Sequence, residues 1–267
     1  MTKIIAECAA NHCGKRDIML ATIKAAALVG VDVVKFQSFK ADTLRRDWPD
    51  HENAYQYYKE HELSEDDHIW LMTKCKEHKV EFLTTVTDLP TVDFLCQIGL
   101  KTVKIASPDC NNWPLISMCL SKFDRVLIST GLHTPEQIRD LVDFVSKQRA
   151  MTKVTVLHCV SLYPTPLDKA NLLHIGNLMG MFDSVGFSDH TLGVDVAKMA
   201  LCLGVACVEK HFTLNRKLPG KDQAISSTKA ELREIVNWRD KVAKAMYCAD
   251  NEADRNNRGY IGRWSGQ

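Results

Sequence analysis

The stretch RVLISTGLHTPEQIRDLVDFVSKQ, residues 125–148, contains one complete unit of the fold. It opens with a short apolar run over 125–130, which predicts a buried β-strand. Thr134, Pro135 and Glu136 then provide a helix cap, a first-turn proline and an acidic residue, and the segment 134–148 carries its charges on one face. This stretch therefore predicts a strand followed by an α-helix.

The same alternation recurs from one end of the chain to the other. The predicted strands are 3–7, 31–37, 80–85, 102–107, 125–130, 153–158, 184–188 and 206–211. The predicted helices are 16–29, 64–78, 89–98, 112–121, 134–148, 168–180, 192–203 and 228–247. Helix starts are indicated by Ser64 with Asp67 and by Thr228 with Glu231. Helix ends are indicated by Gly30, Gly99 and Gly204.

Eight strand–helix units in 267 residues predict an α/β protein with a closed (β/α)₈ TIM barrel. An open Rossmann-type sheet is the alternative, but the chain lacks its GxGxxG turn. We expect the barrel to occupy residues 1–248 and a polar tail to occupy 249–267. The connection 38–62 leaves the C-terminal end of a strand, where barrel active sites are built, and its length is typical of a lid or binding loop.

Composition excludes several classes of protein. The formal net charge is +1, which argues against nucleic acid or an anionic membrane as a partner. No apolar stretch approaches the ~20 residues that cross a bilayer. The ten cysteines occur singly, with no CxxC pair, and several lie in apolar runs, so we expect free structural thiols. With no signal peptide in view, the chain is expected to be cytoplasmic.

Polar residues end nearly every predicted strand. They are Glu7, Lys35, Gln37, Thr85, Lys104, Ser107, Ser129, Thr130, His158, Ser188, Asp189, His190, Glu209, Lys210 and His211. We expect them to converge on the mouth of the barrel. Lys35 and Lys104, with the surrounding hydroxyls, suit a small ligand that carries phosphate and carboxylate. If the barrel assignment holds, His190 and His211 lie on adjacent strands and can bind one divalent metal that acts as a Lewis acid.

Seven segments resemble the motifs of the sialic acid synthase family. They are IIAECAANHCG (4–14), VVKFQSFKAD (33–42), VKIASPDCNNWPL (103–115), LISTG (127–131), LHCVSLYPTP (157–166), FSDHTLG (187–193) and VEKHFTLNRKLPGKD (208–222). The resemblance runs from about residue 3 to residue 245. It implies a transferase of carbohydrate biosynthesis that condenses phosphoenolpyruvate with an N-acetylmannosamine-like aldose. The products would be a nonulosonic, sialic-type acid and phosphate.

The resemblance also implies a role for each candidate residue. His190 and His211 would bind Mn²⁺, with Mg²⁺ or Co²⁺ as alternatives. The residues implied to hold phosphoenolpyruvate are Lys35, Thr85, Lys104, Ser107 and Ser188, with Ser129 among the substrate-binding hydroxyls. Gln37, Tyr163 and Asp222 would face the acceptor sugar. Asp109, Glu7 and Lys104 would form the catalytic group, with Asp109 managing the protons. A homodimer is implied as well.

Several features depart from the family pattern. Asp109 stands where Glu is usual, Lys221 and Gln223 replace residues of a GPDH-like turn, and Ser161 replaces an amide. The family's C-terminal antifreeze-like domain, which contributes an arginine to the partner's site, is not found in this sequence. We therefore expect weaker sugar binding, a lid from a separate chain, or a smaller acceptor. One of the tail arginines, Arg255, Arg258 or Arg263, could substitute for the missing arginine, although a flexible tail is the simpler interpretation.

These departures keep two alternative functions open. The first is a metal-dependent aldolase-type enzyme that acts on a different acceptor, in which Lys104 could form a Schiff base. The second is a non-catalytic relative that binds a sugar or a partner protein. Phosphate release in the presence of phosphoenolpyruvate and an aldehyde distinguishes the synthase from both.

Overall fold

Parallel pairing of eight strands closes the sheet on itself. The structure is a computed structural model that describes residues 1–44, 46–47 and 50–246. The strands are β1 (Lys3–Glu7), β2 (Val33–Ser38), β3 (Glu81–Val86), β4 (Thr102–Ile105), β5 (Arg125–Ser129), β6 (Val154–His158), β7 (Val185–Asp189) and β8 (Cys207–His211). They pair in chain order, and β1 closes on β8 with Glu7 opposite His211. The predicted TIM barrel is confirmed.

The helices surround the barrel. Their bounds are α1 (Arg16–Val29), α2 (His51–His61), α3 (Glu65–Glu77), α4 (Leu89–Gln97), α5 (Trp113–Lys122), α6 (Pro135–Lys147), α7 (His174–Met179), α8 (Asp195–Cys202) and α9 (Lys229–Met246). Ser64 caps α3 through reciprocal hydrogen bonds with Asp67, as predicted. Thr134 caps α6 in the same way, with Gln137 as its partner. Gly30 ends α1 in the left-handed conformation that glycine adopts without strain.

Three predicted segments differ from the structure in their organisation. The segment 168–180 is not one helix, because Asn171 has a left-handed φ of 46° that interrupts it and leaves only the short α7. The connection 38–62 contains α2, whose Tyr57 packs on His61 with ring centroids 4.3 Å apart. Strand β4 ends at Ile105, so Ser107 lies in the 3₁₀ turn that follows.

Side chains alternate between two environments along each strand. Ile5, Val33, Leu83, Leu127, Leu157 and Cys207 form a separate apolar cluster in the barrel interior, whereas their strand neighbours join the larger core beneath the helices. Two residues further along β1, β2 and β8, the interior positions are Glu7, Lys35 and Glu209. The barrel interior therefore changes from apolar to charged towards the C-terminal ends of the strands.

The structure also bears on the cysteines and on membrane insertion. The nine described cysteines are free and most are buried, as predicted. No helix in the described ranges has both the length and the apolar character needed to cross a membrane. The predicted tail, 249–267 with Arg255, Arg258 and Arg263, lies outside the described residues, and so does Trp48 of the long connection.

Candidate active site

A cavity of about 290 Å³ lies at the C-terminal mouth of the barrel. Eleven of the thirteen candidate residues from the sequence line it: Glu7, Lys35, Gln37, Thr85, Lys104, Ser107, Ser129, Tyr163, Ser188, His190 and His211. Ser161, one of the departures from the family pattern, lines it too. The structure therefore brings these residues together as the strand-end pattern predicts.

Two buried carboxylates hold the two cavity lysines. Lys35 Nζ donates to Glu7 Oε2 at 2.5 Å and lies 3.6 Å from Glu209 Oε2. Lys104 Nζ donates to both oxygens of Glu209 at 2.9 and 3.0 Å, and Ser188 Oγ donates to Glu209 Oε1 at 2.8 Å. These charges are almost entirely removed from solvent, so pairing and hydrogen bonding are what make their burial tolerable.

The two carboxylates differ in their electrostatic environment. Burial raises the pKa of Glu7 to about 7, against the opposing charge of Lys35. Burial also opposes ionisation of Glu209, but Lys104 and Lys35 together hold its pKa well below the ordinary value. Glu209 is therefore the ionised anchor of both lysines, whereas Glu7 exchanges a proton near neutral pH.

Glu209 is predicted at the barrel mouth with the other strand-end residues, but the sequence assigns it no role there. It stands two positions before His211 on β8, and side chains two apart on a strand share a face. That spacing was a usable signal for placing it in the cavity. Its contact with Lys104 of β4, across the barrel, could not be inferred from spacing within one strand.

The two histidines face each other at the mouth. The ring centroids of His190 and His211 lie 5.5 Å apart. Burial lowers the pKa of both side chains, so both imidazoles are neutral, which is the form that binds metals. His190 Nδ1 hydrogen bonds to the carbonyl oxygen of Val160 at 2.9 Å, which leaves its Nε2 for a ligand.

The donor chemistry fits a divalent cation with open coordination positions. His211 Nδ1 is buried and has no hydrogen-bond partner. A bound ligand would satisfy this nitrogen. Within the described part of the chain, no group of three or more His, Cys, Asp and Glu side chains is placed to hold a metal. The protein would thus supply two imidazoles and leave the remaining positions to substrate and water.

A second buried ion pair supports the segments that carry these histidines. Lys210 Nζ donates to Asp189 Oδ2 at 2.8 Å and to the carbonyl oxygen of Thr191 at 2.6 Å. Asp189 Oδ1 accepts from the Thr191 backbone N–H and hydroxyl. Asp189 and Lys210 are chain neighbours of His190 and His211 and pair between β7 and β8. Their network holds the ends of the two strands in register.

Two candidate residues lie outside the lining of the cavity. Asp109 lies in the 3₁₀ turn after β4, half-buried, and accepts a hydrogen bond from Asn112 Nδ2 at 3.0 Å; burial raises its pKa. Asp222 lies in the loop after β8, also half-buried, and burial raises its pKa against the lowering effect of Lys221 and Lys35. Neither residue lines the cavity.

Comparison with known proteins agrees with this geometry. The chain matches the family model described as "NeuB family" over residues 22–250. It is 36% identical to N,N'-diacetyllegionaminic acid synthase of Legionella pneumophila, covering 87% of this chain and 70% of that protein. It is 34% identical to the Campylobacter jejuni synthase of the same name, covering 92% and 77%.

Solved structures show the same relationship. The crystal structure of N-acetylneuraminic acid (sialic acid) synthetase from Leptospira borgpetersenii, in complex with citrate, superposes with a TM-score of 0.88. The two chains are 27% identical, and the match covers 98% of this chain and 93% of that one. A DAHP synthase of Thermotoga maritima, 14% identical with a TM-score of 0.73, shares the fold. The chain belongs to the NeuB family and is an enzyme of the acid-synthase type.

Proposed function

We propose that this enzyme condenses phosphoenolpyruvate with an aldose of the N-acetylmannosamine type. C3 of phosphoenolpyruvate forms a bond to the aldehyde carbon, whose oxygen takes up a proton. Water adds to C2, and the C2–O bond to phosphate then breaks. One phosphoenolpyruvate, one aldose and one water give one nonulosonic acid and one phosphate. The relatives support this reaction type, because two of them are named as synthases of such an acid.

The observation that carries the proposal is the convergence of charge and hydroxyl groups in one small cavity. Lys35 and Lys104 suit the phosphate and carboxylate of phosphoenolpyruvate, and the four hydroxyls beside them are those of Thr85, Ser107, Ser129 and Ser188. Glu209 orients both lysine heads at 2.9 to 3.6 Å through contacts within the protein itself. Such preorganisation lowers the cost of ordering side chains on binding.

Glu7 is suited to the proton transfers. Its carboxyl group lines the cavity, and its pKa of about 7 allows it to hold or accept a proton at neutral pH. Gln37 Nε2 donates to Glu7 Oε1 at 2.9 Å and fixes the carboxyl plane. Asp109 is the second candidate acid–base group, beside the cavity-lining Ser107 and Pro108. We assign the main role to Glu7 because it reaches the cavity directly.

His190 and His211 would hold the metal, for which Mn²⁺ is the first choice and Mg²⁺ or Co²⁺ are alternatives. Such an ion, when bound, polarises a carbonyl oxygen. The residues around it have their own tasks. Tyr163 packs 4.2 Å from His190 and 6.0 Å from His211, ring centroid to ring centroid, and limits the space beside both imidazoles. The acceptor aldehyde is therefore directed to the side of the histidines that faces the lysines.

The Schiff-base alternative is disfavoured by the contacts of Lys104. Its Nζ donates to both oxygens of Glu209, an arrangement that suits an ammonium group and occupies the nitrogen. A nucleophilic lysine requires a free amine in reach of the carbonyl. Measurement of phosphate release distinguishes the synthase from the non-catalytic alternative.

The test is phosphate release from phosphoenolpyruvate with Mn²⁺ across a panel of aldoses that includes N-acetylmannosamine, mannose and short aldehydes. We expect release that depends on one class of aldose and is lost in His190→Ala and His211→Ala. Direct titration of Mn²⁺ into each variant measures metal binding. Far-ultraviolet circular dichroism shows whether the variant still folds, so loss of metal binding can be told from loss of the fold. His78→Ala, a half-buried histidine at the C-terminal end of α3, is the matched control.

Two outcomes would overturn the proposal. Carbon–carbon cleavage without phosphate release would favour the aldolase. No release with any aldose, together with no binding of phosphoenolpyruvate or Mn²⁺, would favour the non-catalytic relative. A homodimer and a lid from a separate chain remain predictions from the family resemblance, and sedimentation velocity of the purified protein tests the first of them.

A further inference from the structure

A second cavity opens at the end of the barrel opposite the candidate active site. Its volume is about 950 Å³, and its lining includes the first residues of β1 to β5, which are Lys3, Val33, Glu81, Thr102 and Arg125. Among the described residues, none lines both this N-terminal cavity and the cavity at the mouth. A ligand in the N-terminal cavity would therefore not occupy the proposed reaction site.

The inner end of the N-terminal cavity is apolar. Its lining contains Ile5, Val33, Leu83, Leu127 and Cys207, five of the six members of the separate apolar cluster in the barrel interior. All five side chains are buried, so they form a floor that is shielded from bulk water. An apolar group that enters the cavity can lose its own contact with water against this floor, and such burial favours binding.

The rim of the N-terminal cavity is basic on one side. Lys76 lies in the last turn of α3, Lys79 follows that helix, Lys101 precedes β4 and Arg125 begins β5. All four residues are exposed. They belong to neighbouring parts of the barrel, because β3 pairs with β4 and β4 pairs with β5. Positive charge is therefore concentrated on the β3–β5 side of the rim.

The two acidic residues of the lining already have partners. Glu81 accepts from Lys3 Nζ at 2.6 Å. Asp32 Oδ2 accepts from Arg239 Nη1 at 2.6 Å and from the backbone N–H of Ile4 at 2.7 Å. In the part of the chain that the structure describes, the four basic residues of the rim have no ion-pair partner. Their charges are available to an anion that enters the cavity.

We propose that the N-terminal cavity binds a small amphipathic carboxylate. Its apolar body would lie against the interior cluster, and its carboxylate would pair with the basic rim. A guanidinium group such as that of Arg125 suits a carboxylate, because it can donate two parallel hydrogen bonds. A fully polar anion would make no use of the apolar floor, and a neutral lipid would make no use of the rim. A medium-chain fatty acid combines both features.

Calorimetric titration of the full chain with hexanoate, octanoate and decanoate tests the apolar part of the site. We expect one molecule to bind per chain, and the affinity to rise about four-fold with each added methylene, because each methylene buries more apolar surface. Octanol has the apolar body of octanoate without its charge. It should bind about ten-fold more weakly than octanoate, since it forgoes two exposed ion pairs that are each worth a few-fold in affinity.

The double variant Lys101→Gln/Arg125→Gln tests the basic rim. It should weaken octanoate binding about ten-fold, because the same two ion pairs are lost, and it should leave octanol binding unchanged. The matched control is Lys147→Gln/Arg149→Gln, which removes two charges at exposed positions outside the cavity lining. The control should leave both affinities unchanged.

Four results would overturn the inference. Octanol may not bind as tightly as octanoate, since the rim would then not recognise the charge. An equal loss in the double variant and in its control would mean that the charges act from a distance. Octanoate binding that the double variant leaves unchanged would place the ligand elsewhere, for example at Lys35 and Lys104. Absence of saturable binding by the full chain would mean that a second copy, or another segment, covers the floor. None of these results depends on phosphate release, so the proposed function is tested separately.

Discussion

Lys210→Met tests whether the buried pair beside the histidines stabilises the barrel. Lys210 is 2% exposed and Asp189 is 1% exposed, and their atoms lie 2.8 Å apart. Methionine fills similar volume but removes the charge and the donor to the Thr191 carbonyl. Asp189 is then left as a buried carboxylate without its cation. The substitution should therefore destabilise the fold far more than loss of one hydrogen bond would.

The magnitude follows from the burial of both partners. Removal of one member of a buried ion pair costs about 3–5 kcal/mol, because the remaining charge is uncompensated. In a domain of this size 1 kcal/mol corresponds to roughly 2–4 °C in the unfolding midpoint, so the midpoint should fall by roughly 6–20 °C. Adding Asp189→Asn should recover part of the loss, because the amide is neutral and its oxygen still accepts from the Thr191 backbone.

Urea and thermal unfolding followed by circular dichroism provide the measurement. Lys3→Met is the control, since Lys3 pairs with Glu81 at 2.6 Å but both side chains are more than half exposed. An exposed pair of this kind contributes less than about 1 kcal/mol. A loss in Lys210→Met no larger than that in Lys3→Met would refute the reasoning. The reasoning would also be refuted if the double variant lost as much stability as Lys210→Met and Asp189→Asn lose together.

Three further predictions concern pH dependence and stability. Because the folded pKa of Glu7 is raised to about 7, its contribution to the free energy of unfolding is present below about pH 4.5 and is lost as pH rises to 7. In urea unfolding, the stability of Glu7→Gln relative to the parent should therefore be greater at pH 7.5 than at pH 5. An equal difference in the free energy of unfolding at both pH values would show that the protonation of Glu7 is not the cause. Gly186→Ala should destabilise β7 by about 1–3 kcal/mol, because the new Cβ would lie 2.5 Å from Cys207 Sγ. Gly176→Ala, which meets nothing within 4 Å, should be neutral or stabilising in the same thermal scan. Ser64→Ala should cost about 0.5–2 kcal/mol by removing the cap of α3, and amide exchange confined to the first turn of α3 would locate the effect.

The barrel and its cavity could be predicted from local patterns. Consecutive strand–helix units lie side by side in a barrel, so their order in the chain is also their order in space. Alternation along each strand places residues two apart on the same face, which is why Lys35 and Gln37 line one cavity. Caps such as Ser64 with Asp67 depend on three neighbouring residues, and local sequence contains all of that information.

The pairing inside the cavity depended on contacts between distant parts of the chain. Lys104 and Glu209 are 105 residues apart and lie on β4 and β8, yet they meet at 2.9 Å across the barrel. Asp109 carries the expected chemistry but sits in a turn, because β4 ends before it. Lys221 and Tyr57 are far apart in the chain, yet Lys221 Nζ lies 4.3 Å from the ring centroid of Tyr57. Periodicity assigns a residue to a face, but which charge opposes which depends on the width and closure of the barrel, and these arise only when all eight strands assemble.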